Sequence, residues 1–354
     1  MKKEKGVRKY YIDNLRSIAI LLLFPVHTCM IWNDFGARFY VWQGENKILS
    51  SLIVLINPWF MPLLFVLAGI SARFALEKRT KKEFIIQRVH KLLVPFVFGV
   101  AFLVPFQTWY ARKFFDGYQG GFWENWKYFF THLTDFSGYD GAFTPGHLWF
   151  ILFLFLISMA ALFLFHFVPY EKAADSVRKI PAVGVLLLFL PIWLMYYLGN
   201  FGGYSIGKNL ALYLAGYYVL SNELALEKLE RNIKWLAVLC AAGTVASVVM
   251  YYNFSYYGDC WVNFLGWISI LVLLVAGKKF LNQETGFTKY FNQASYPVYL
   301  LHQSILVALA YYALQAGGNL FVQAGGICIG SFLLTMLAYH LIRRTFVRKM
   351  VGMG

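Results

Sequence analysis

Apolar residues run along this chain in long uncharged blocks, each about twenty residues in length, separated by shorter basic or aromatic stretches. Ten such blocks are predicted, at 15–34, 48–76, 91–111, 146–168, 182–200, 206–222, 234–252, 260–276, 293–314 and 319–342. Their length matches the hydrocarbon thickness of a bilayer, and backbone groups in lipid must be bonded within the segment, so each block reads as a helix. The predicted fold class is all-α: one polytopic membrane bundle of about ten transmembrane helices over residues 1–354, with 112–145 as its long extracytoplasmic loop. The second block is over-long and carries Pro58 and Pro62, so a kink or tilt is expected there.

Composition changes this picture only by excluding the alternative. A chain of 354 residues that is 59% hydrophobic and 14% charged cannot hide its apolar surface in one water-soluble core. Membrane lipid is the partner it requires.

Charge then orients the bundle, because Lys and Arg collect in cytoplasmic loops. With the N-terminus inside, one side gathers Lys2, Lys3, Lys5, Arg8, Lys9, the basic run from Lys78 to Lys91, Lys172, Arg178, Lys179, Lys228, Arg231, Lys234, Lys278, Lys279, Lys289 and the arginines after residue 342. The other side keeps Arg38, Lys47, Arg112, Lys113, Lys127 and Lys208. A multi-pass cell-membrane protein with both termini cytoplasmic is expected. The net charge of +15 follows from topology, with no need for a nucleic-acid partner.

The first apolar run is too long for a signal-peptide core and no small-residue cleavage site follows it, so it is expected to stay as a helix. Cys29, Cys240, Cys260 and Cys328 are scattered, without metal-ligand spacing, and no metal is expected. No Walker loop, dinucleotide fingerprint or Gly-x-Ser-x-Gly elbow is present, which removes support for ATP-driven and serine-hydrolase chemistry. The loop 112–145 mixes Trp, Tyr and Phe with Asp116, Glu124, Asp135 and Asp140. Two readings stand for it: a sugar-binding surface, or an interfacial aromatic belt.

Polar residues inside the apolar blocks are the candidate chemistry, since ionisable groups in a membrane normally face a cavity or a partner. In DNLRSIAILLLFPVH, Asp13 and Arg16 sit at the cytoplasmic end and His27 lies eleven residues beyond Arg16. That spacing is roughly 16 Å of rise and close to three turns, so Arg16 and His27 share a face and His27 lies near mid-membrane. His147 and Trp149 in PGHLWF mark the entry of the long loop into the fourth block. His302 in ASYPVYLLHQ, with Tyr296, Tyr299 and Gln303 nearby, reads either as interhelical glue or as part of a substrate site. In QRVHKLLVPF, Arg88 and Lys91 stand at the cytoplasmic mouth, where an Arg and a Lys suit a polyphosphate; a snorkelling anchor is the other reading.

Taken together, DNLRSIAILLLFPVH, FVLAGISARF, QRVHKLLVPFVFG, GHLWFILFLF and ASYPVYLLHQS resemble the membrane acyltransferase 3 family, from about residue 8 to about residue 345. The ASYPVYLLHQ and RVHKLLVPF segments are most similar to its branch that succinylates periplasmic glucans. The resemblance implies an O-acyltransferase that moves an acetyl or succinyl group from cytoplasmic acyl-CoA to a hydroxyl of an extracytoplasmic glycan or other envelope acceptor. The family's Arg and His with ten residues between them match Arg16 and His27. Its pair of arginines separated by two residues is matched only by Arg88, with Lys91 in the second place, which keeps the charge and loses the bidentate geometry. His27 would then act on the acceptor hydroxyl as a base or carry the acyl group as a nucleophile, Arg16 would position the donor, and Asp13 would orient Arg16. Arg73 is a candidate partner for a succinyl carboxylate. A transporter or flippase of glycans or small molecules is the competing class, because intramembrane charge also marks substrate pathways.

Overall fold

The computed structural model describes residues 8–36, 39–201, 203–254 and 258–353. Lys2, Lys3, Lys5 and Arg38 of the charge pattern lie outside the described residues. The structure is a helical bundle in which, among the described residues, eight helices are long and apolar enough to cross a membrane.

The first, α1 (Tyr10–Cys29), runs on into a 3-10 turn, Met30–Trp32. The predicted second block divides into α2 (Lys47–Ile56) and α3 (Phe60–Leu76). The break follows from the two prolines: Pro62 has no N–H to offer the Pro58 carbonyl. That carbonyl instead faces Gly266, where an added Cβ would lie 2.2 Å from it.

The helix α4 (Lys81–Phe115) starts on a Thr80–Glu83 capping box and contains two π turns, Val89–Leu93 and Gly99–Leu103. Each π turn ends two residues before a proline, Pro95 or Pro105, so the backbone ladder is interrupted there in any case. Pro105 leaves the Ala101 carbonyl without its helical N–H, and Ala101 O accepts from Trp126 Nε1 at 2.7 Å; Leu103 O accepts from Ser304 Oγ at 2.9 Å.

The long loop after α4 carries its own helix, α5 (Phe122–Thr131), and a 3-10 turn, Gly146–Leu148, leads into α6 (Trp149–Phe167). The amphipathic α7 (Tyr170–Lys179) follows. Two of the ten predicted spans, 182–200 and 206–222, are shorter than expected. They form α8 (Ala182–Tyr197) and α9 (Ile206–Ala215, extended by a π turn Gly216–Leu220). A small hairpin joins them, with β1 (Asn200–Phe201) antiparallel to β2 (Tyr204–Ser205). Each is about 22–24 Å long, less than a full hydrocarbon thickness. The chain ends with α10 (Glu223–Arg231), α11 (Ile233–Phe254), α12 (Asp259–Phe280), α13 (Gly286–Gln315) and α14 (Leu320–Ile342).

Helix α1 lies at the centre, against α3, α12, α13 and α14. Helices α3 and α9 approach backbone to backbone through reciprocal glycines: an added Cβ on Gly69 would lie 2.0 Å from Tyr213 O, and one on Gly216 2.3 Å from Val66 O. Small residues serve this purpose between membrane helices, where dispersion rather than water drives association. By contrast α11 and α14 are apolar all round and expose Trp235, Val245, Val322 and Ile329, the surface expected of helices that face lipid.

One end of the bundle gathers the basic connecting stretches. Lys9 pairs with Glu223, Lys278 pairs with Glu223 at 3.2 Å and Glu230 at 3.8 Å, and Arg8 pairs with Asp13 at 3.0 Å and Glu284 at 3.7 Å. Lys228 donates to the carbonyls of Arg178 and Ile180 at 2.6 and 2.8 Å. Burial pushes the Glu223 carboxyl up, but Lys9 and Lys278 together outweigh it and hold the group below the usual glutamate range. Four separate stretches of the sequence, 8–13, 178–180, 223–230 and 278–284, thus meet at one end of the bundle.

Candidate functional site

Three histidines from three parts of the chain meet inside the bundle. The His27 ring from α1 lies face to face with His302, close to the midpoint of α13, with centroids 5.1 Å apart and planes 10° from parallel. His147, from the 3-10 turn before α6, meets His302 edge-on at 5.2 Å and 88°.

Their hydrogen bonds give them unequal freedom. A carbonyl only accepts, so contact with one assigns a ring N–H. His147 Nε2 donates to Leu300 O at 3.0 Å, which leaves Nδ1 to accept from Gln107 Nε2 at 3.1 Å. Gln107 Nε2 also donates to Ser304 Oγ at 2.9 Å, and Tyr299 Oη donates to the His147 carbonyl at 2.6 Å. Both ring nitrogens of His147 are therefore committed, and the residue is a strut between α4, α6 and α13. His302 is committed on one side only: Nδ1 donates to Tyr299 O at 2.6 Å, and Nε2 is buried without a partner. His27 is held by ring contacts alone, with His302 on one side and Phe39 at 5.9 Å; its Nδ1 is buried without a partner, yet the residue keeps some accessible surface.

Local sequence explains the arrangement. Gly146 adopts φ +52°, in the left-handed region that favours glycine, and lets the chain turn His147 inward beside Tyr40 and Val104. Leu103 O, at the end of the second π turn of α4, accepts from Ser304, whose hydroxyl in turn receives Gln107. The unpartnered atoms at this centre, His302 Nε2, Gln107 Oε1 and His27 Nδ1, each cost about 1–3 kcal/mol if left dry. Two of the three are obligate acceptors as bonded here, so what satisfies them must donate, as a hydroxyl or a water does. With His147 fully spent on protein groups, the trio is not a metal-ligand set, and no such set of His, Cys, Asp or Glu occurs among the described residues.

At the basic end, Arg16 donates to Asp13 Oδ1 at 3.0 Å and to Ser71 Oγ at 3.2 Å. Arg88 lies over the Phe84 ring at 4.6 Å, beside Tyr213 and within electrostatic reach of Arg16. Arg88 Nε, the Tyr213 hydroxyl and the Ser158 hydroxyl are buried there without partners. The two arginines converge although they come from α1 and α4.

Other predicted residues fall elsewhere. Lys91 is exposed and does not join Arg88, because the π turn Val89–Leu93 widens the helix between them and carries Lys91 off that face. Arg73 is occupied by Glu77 at 2.9 Å and lies over the Tyr170 ring at 3.6 Å. Trp149 stacks on Tyr204 of the hairpin at 3.8 Å, not on His147. Tyr296 stacks on Tyr299 and abuts Gly352, with its hydroxyl buried and unpartnered. In the long loop, three of the four carboxylates serve their own backbone: Glu124 caps α5, Asp135 accepts from Ser137 N, and Asp140 accepts from Ala142 N. Arg112 is clasped between Tyr118 and Tyr128 at 3.9 and 4.3 Å, which ties the loop to α4.

Gln107, Ser304 and Tyr213 were not singled out from sequence. Gln107, a lone amide in the apolar run VPFQTWY, carried the available signal.

Comparison with known proteins adds to this geometry. The family model described as an acyltransferase domain matches residues 9–340. Glucans biosynthesis protein C of Salmonella gallinarum strain 287/91 is 21% identical over 339 residues, which cover 86% of this chain and 84% of that protein. Glucans biosynthesis protein C of Escherichia coli strain K12 is 20% identical over 350 residues, with the same coverage of 86% and 84%. No solved structure matches.

Proposed function

Since this chain belongs to the acyltransferase-domain family, we propose that it moves an acetyl or succinyl group from cytoplasmic acyl-CoA, past Arg16 to His27, and on to a glycan hydroxyl at the opposite face. The carrying observation is the His27 ring, deep in the bundle, held by stacking alone and free of hydrogen bonds to protein, on the same helix stripe as Arg16. The basic end faces the cytoplasm in this reading, with both termini there, because lysines and arginines are retained on that side. Arg16 and Arg88 receive the phosphates of coenzyme A, with Asp13 holding Arg16 in place. The acceptor enters from the other end, beneath the loop 112–145, with His147, Trp149 and His302 shaping its path; Tyr296, which abuts Gly352, lies toward the cytoplasmic side. The glycan acceptor is supported by the name of the relatives. Arg73 pairs with Glu77 at 2.9 Å, and a succinyl carboxylate would compete with that partner for it.

The test is transfer of label. Purified protein is incubated with radiolabelled acetyl-CoA or succinyl-CoA and candidate glycans. Label in the glycan, lost in His27→Ala at unchanged melting temperature, is the expected result. Movement of the glycan across a sealed vesicle without acylation would replace this reading with the transporter.

A further inference from the structure

The three histidines are graded: His147 is bonded at both ring nitrogens, His302 at one, and His27 at neither. If a single imidazole did all the chemistry, His302 would need no such arrangement. Its Nδ1–H is pinned to Tyr299 O at 2.6 Å, which fixes the tautomer and presents the Nε2 lone pair, unpartnered and shut off from bulk water, against the stacked ring of His27. Among the described residues nothing satisfies that lone pair. Tyr299 anchors His302 through its carbonyl and His147 through its hydroxyl, and Leu300 O receives the His147 ring, so His302 and His147 are held together while His27 meets His302 by stacking.

We infer that the transfer is divided between the two stacked rings, with His27 carrying the acyl group and His302 Nε2 acting as the base that deprotonates the acceptor. This rests on the acyl-transfer reading above and adds to it the residue and the order of steps. In the first half-reaction a nitrogen of His27 attacks the thioester carbonyl and the carbon–sulfur bond breaks. Coenzyme A leaves as the thiol with the proton that His27 carried. In the second, the acceptor oxygen attacks the acyl carbon and gives its proton to His302 Nε2, directly or through one water. The acyl–nitrogen bond breaks and the proton passes from His302 back to His27 through a water, so both rings end neutral. The stacked arrangement, with ring centroids 5.1 Å apart and planes 10° from parallel, does not aim an N–H of one ring at a lone pair of the other, which leaves each nitrogen free for its own step.

The experiment separates the half-reactions, with water as the default acceptor. Full-length protein in nanodiscs is mixed with acyl-labelled acetyl-CoA and, separately, succinyl-CoA, and free coenzyme A and protein-bound label are followed after a cold denaturing quench at neutral pH. His302→Asn keeps an amide N–H near the position of Nδ1 and lacks Nε2. It is expected to release about one coenzyme A per protein at the wild-type rate, then to hold the label roughly a hundredfold longer than the wild type. His302→Phe keeps the stacked ring without either nitrogen and is expected to trap label in the same way. His27→Ala should show neither burst nor label. A His302→Asn protein of normal melting temperature that sheds label at the wild-type rate, or that loses burst and turnover in equal measure, would overturn the division of labour while leaving acyl transfer intact. If the wild type cleaves neither thioester, acyl transfer itself fails and this inference with it.

Discussion

The hydroxyl of Tyr299 on α13 donates to the main-chain carbonyl of His147 at 2.6 Å, so a helix that crosses the bundle fixes the turn that opens α6. Replacing Tyr299 by Phe removes the donor and leaves a buried carbonyl unsatisfied. A destabilisation of about 1–3 kcal/mol is expected, seen as a lower melting temperature in detergent, together with reduced acyl transfer as His147 loosens.

The contact between α3 and α9 admits no side chain. Gly69→Ala or Gly216→Ala would drive a methyl group into a backbone carbonyl of the facing helix, which cannot rotate away. Each is expected to cost about 1–3 kcal/mol and to displace Tyr213 from Arg88. Gly325→Ala is the control: nothing lies within 4 Å of the added carbon, and its melting temperature should not change.

Arg88 and Lys91 are three residues apart but face different surroundings, and their substitutions should separate accordingly. Arg88→Gln is expected to raise the KM for acyl-CoA about tenfold, the loss of one charge-assisted contact. Lys91→Gln, altering an exposed side chain, should stay within about twofold. Steady-state kinetics on the two variants side by side make the comparison.

Acid should loosen the basic end. The folded Glu223 carboxyl lies below its unfolded value, so its pairing with Lys9 and Lys278 stabilises fully above the ordinary glutamate value of about 4.3 and is lost as pH falls through the folded value. Melting temperatures between neutral pH and pH 3 should decline more for the wild type than for Glu223→Gln. The difference should shrink in high salt, because these groups are partly exposed.

Much of the bundle was legible because lipid imposes one length on every apolar block. The block 234–252 became α11 and 319–342 became α14 with little change at either end. The two short helices α8 and α9 read as full spans since hydropathy averages over the hairpin NFGGYS between them. Arg16 and His27 were legible as a pair because they share one helix and its period. The facing of His27 and His302 was not, since 275 residues separate them and only the packing of α1 on α13 brings the rings together. The different exposure of Arg88 and Lys91 was not legible, because a π turn is a register shift that residue spacing does not announce.

The two π turns of α4 lie between Arg88 and Gln107. An α-helix turns about 100° per residue, so each π turn acts as an indexing step that resets the angle of everything beyond it. Deleting one residue from Gly99–Leu103 would leave α4 intact as a helix yet swing Gln107 about a quarter turn away from His147. The helix is thereby a shaft whose two ends are set by insertion, with the angle between donor mouth and histidine centre written in chain length rather than in side-chain chemistry.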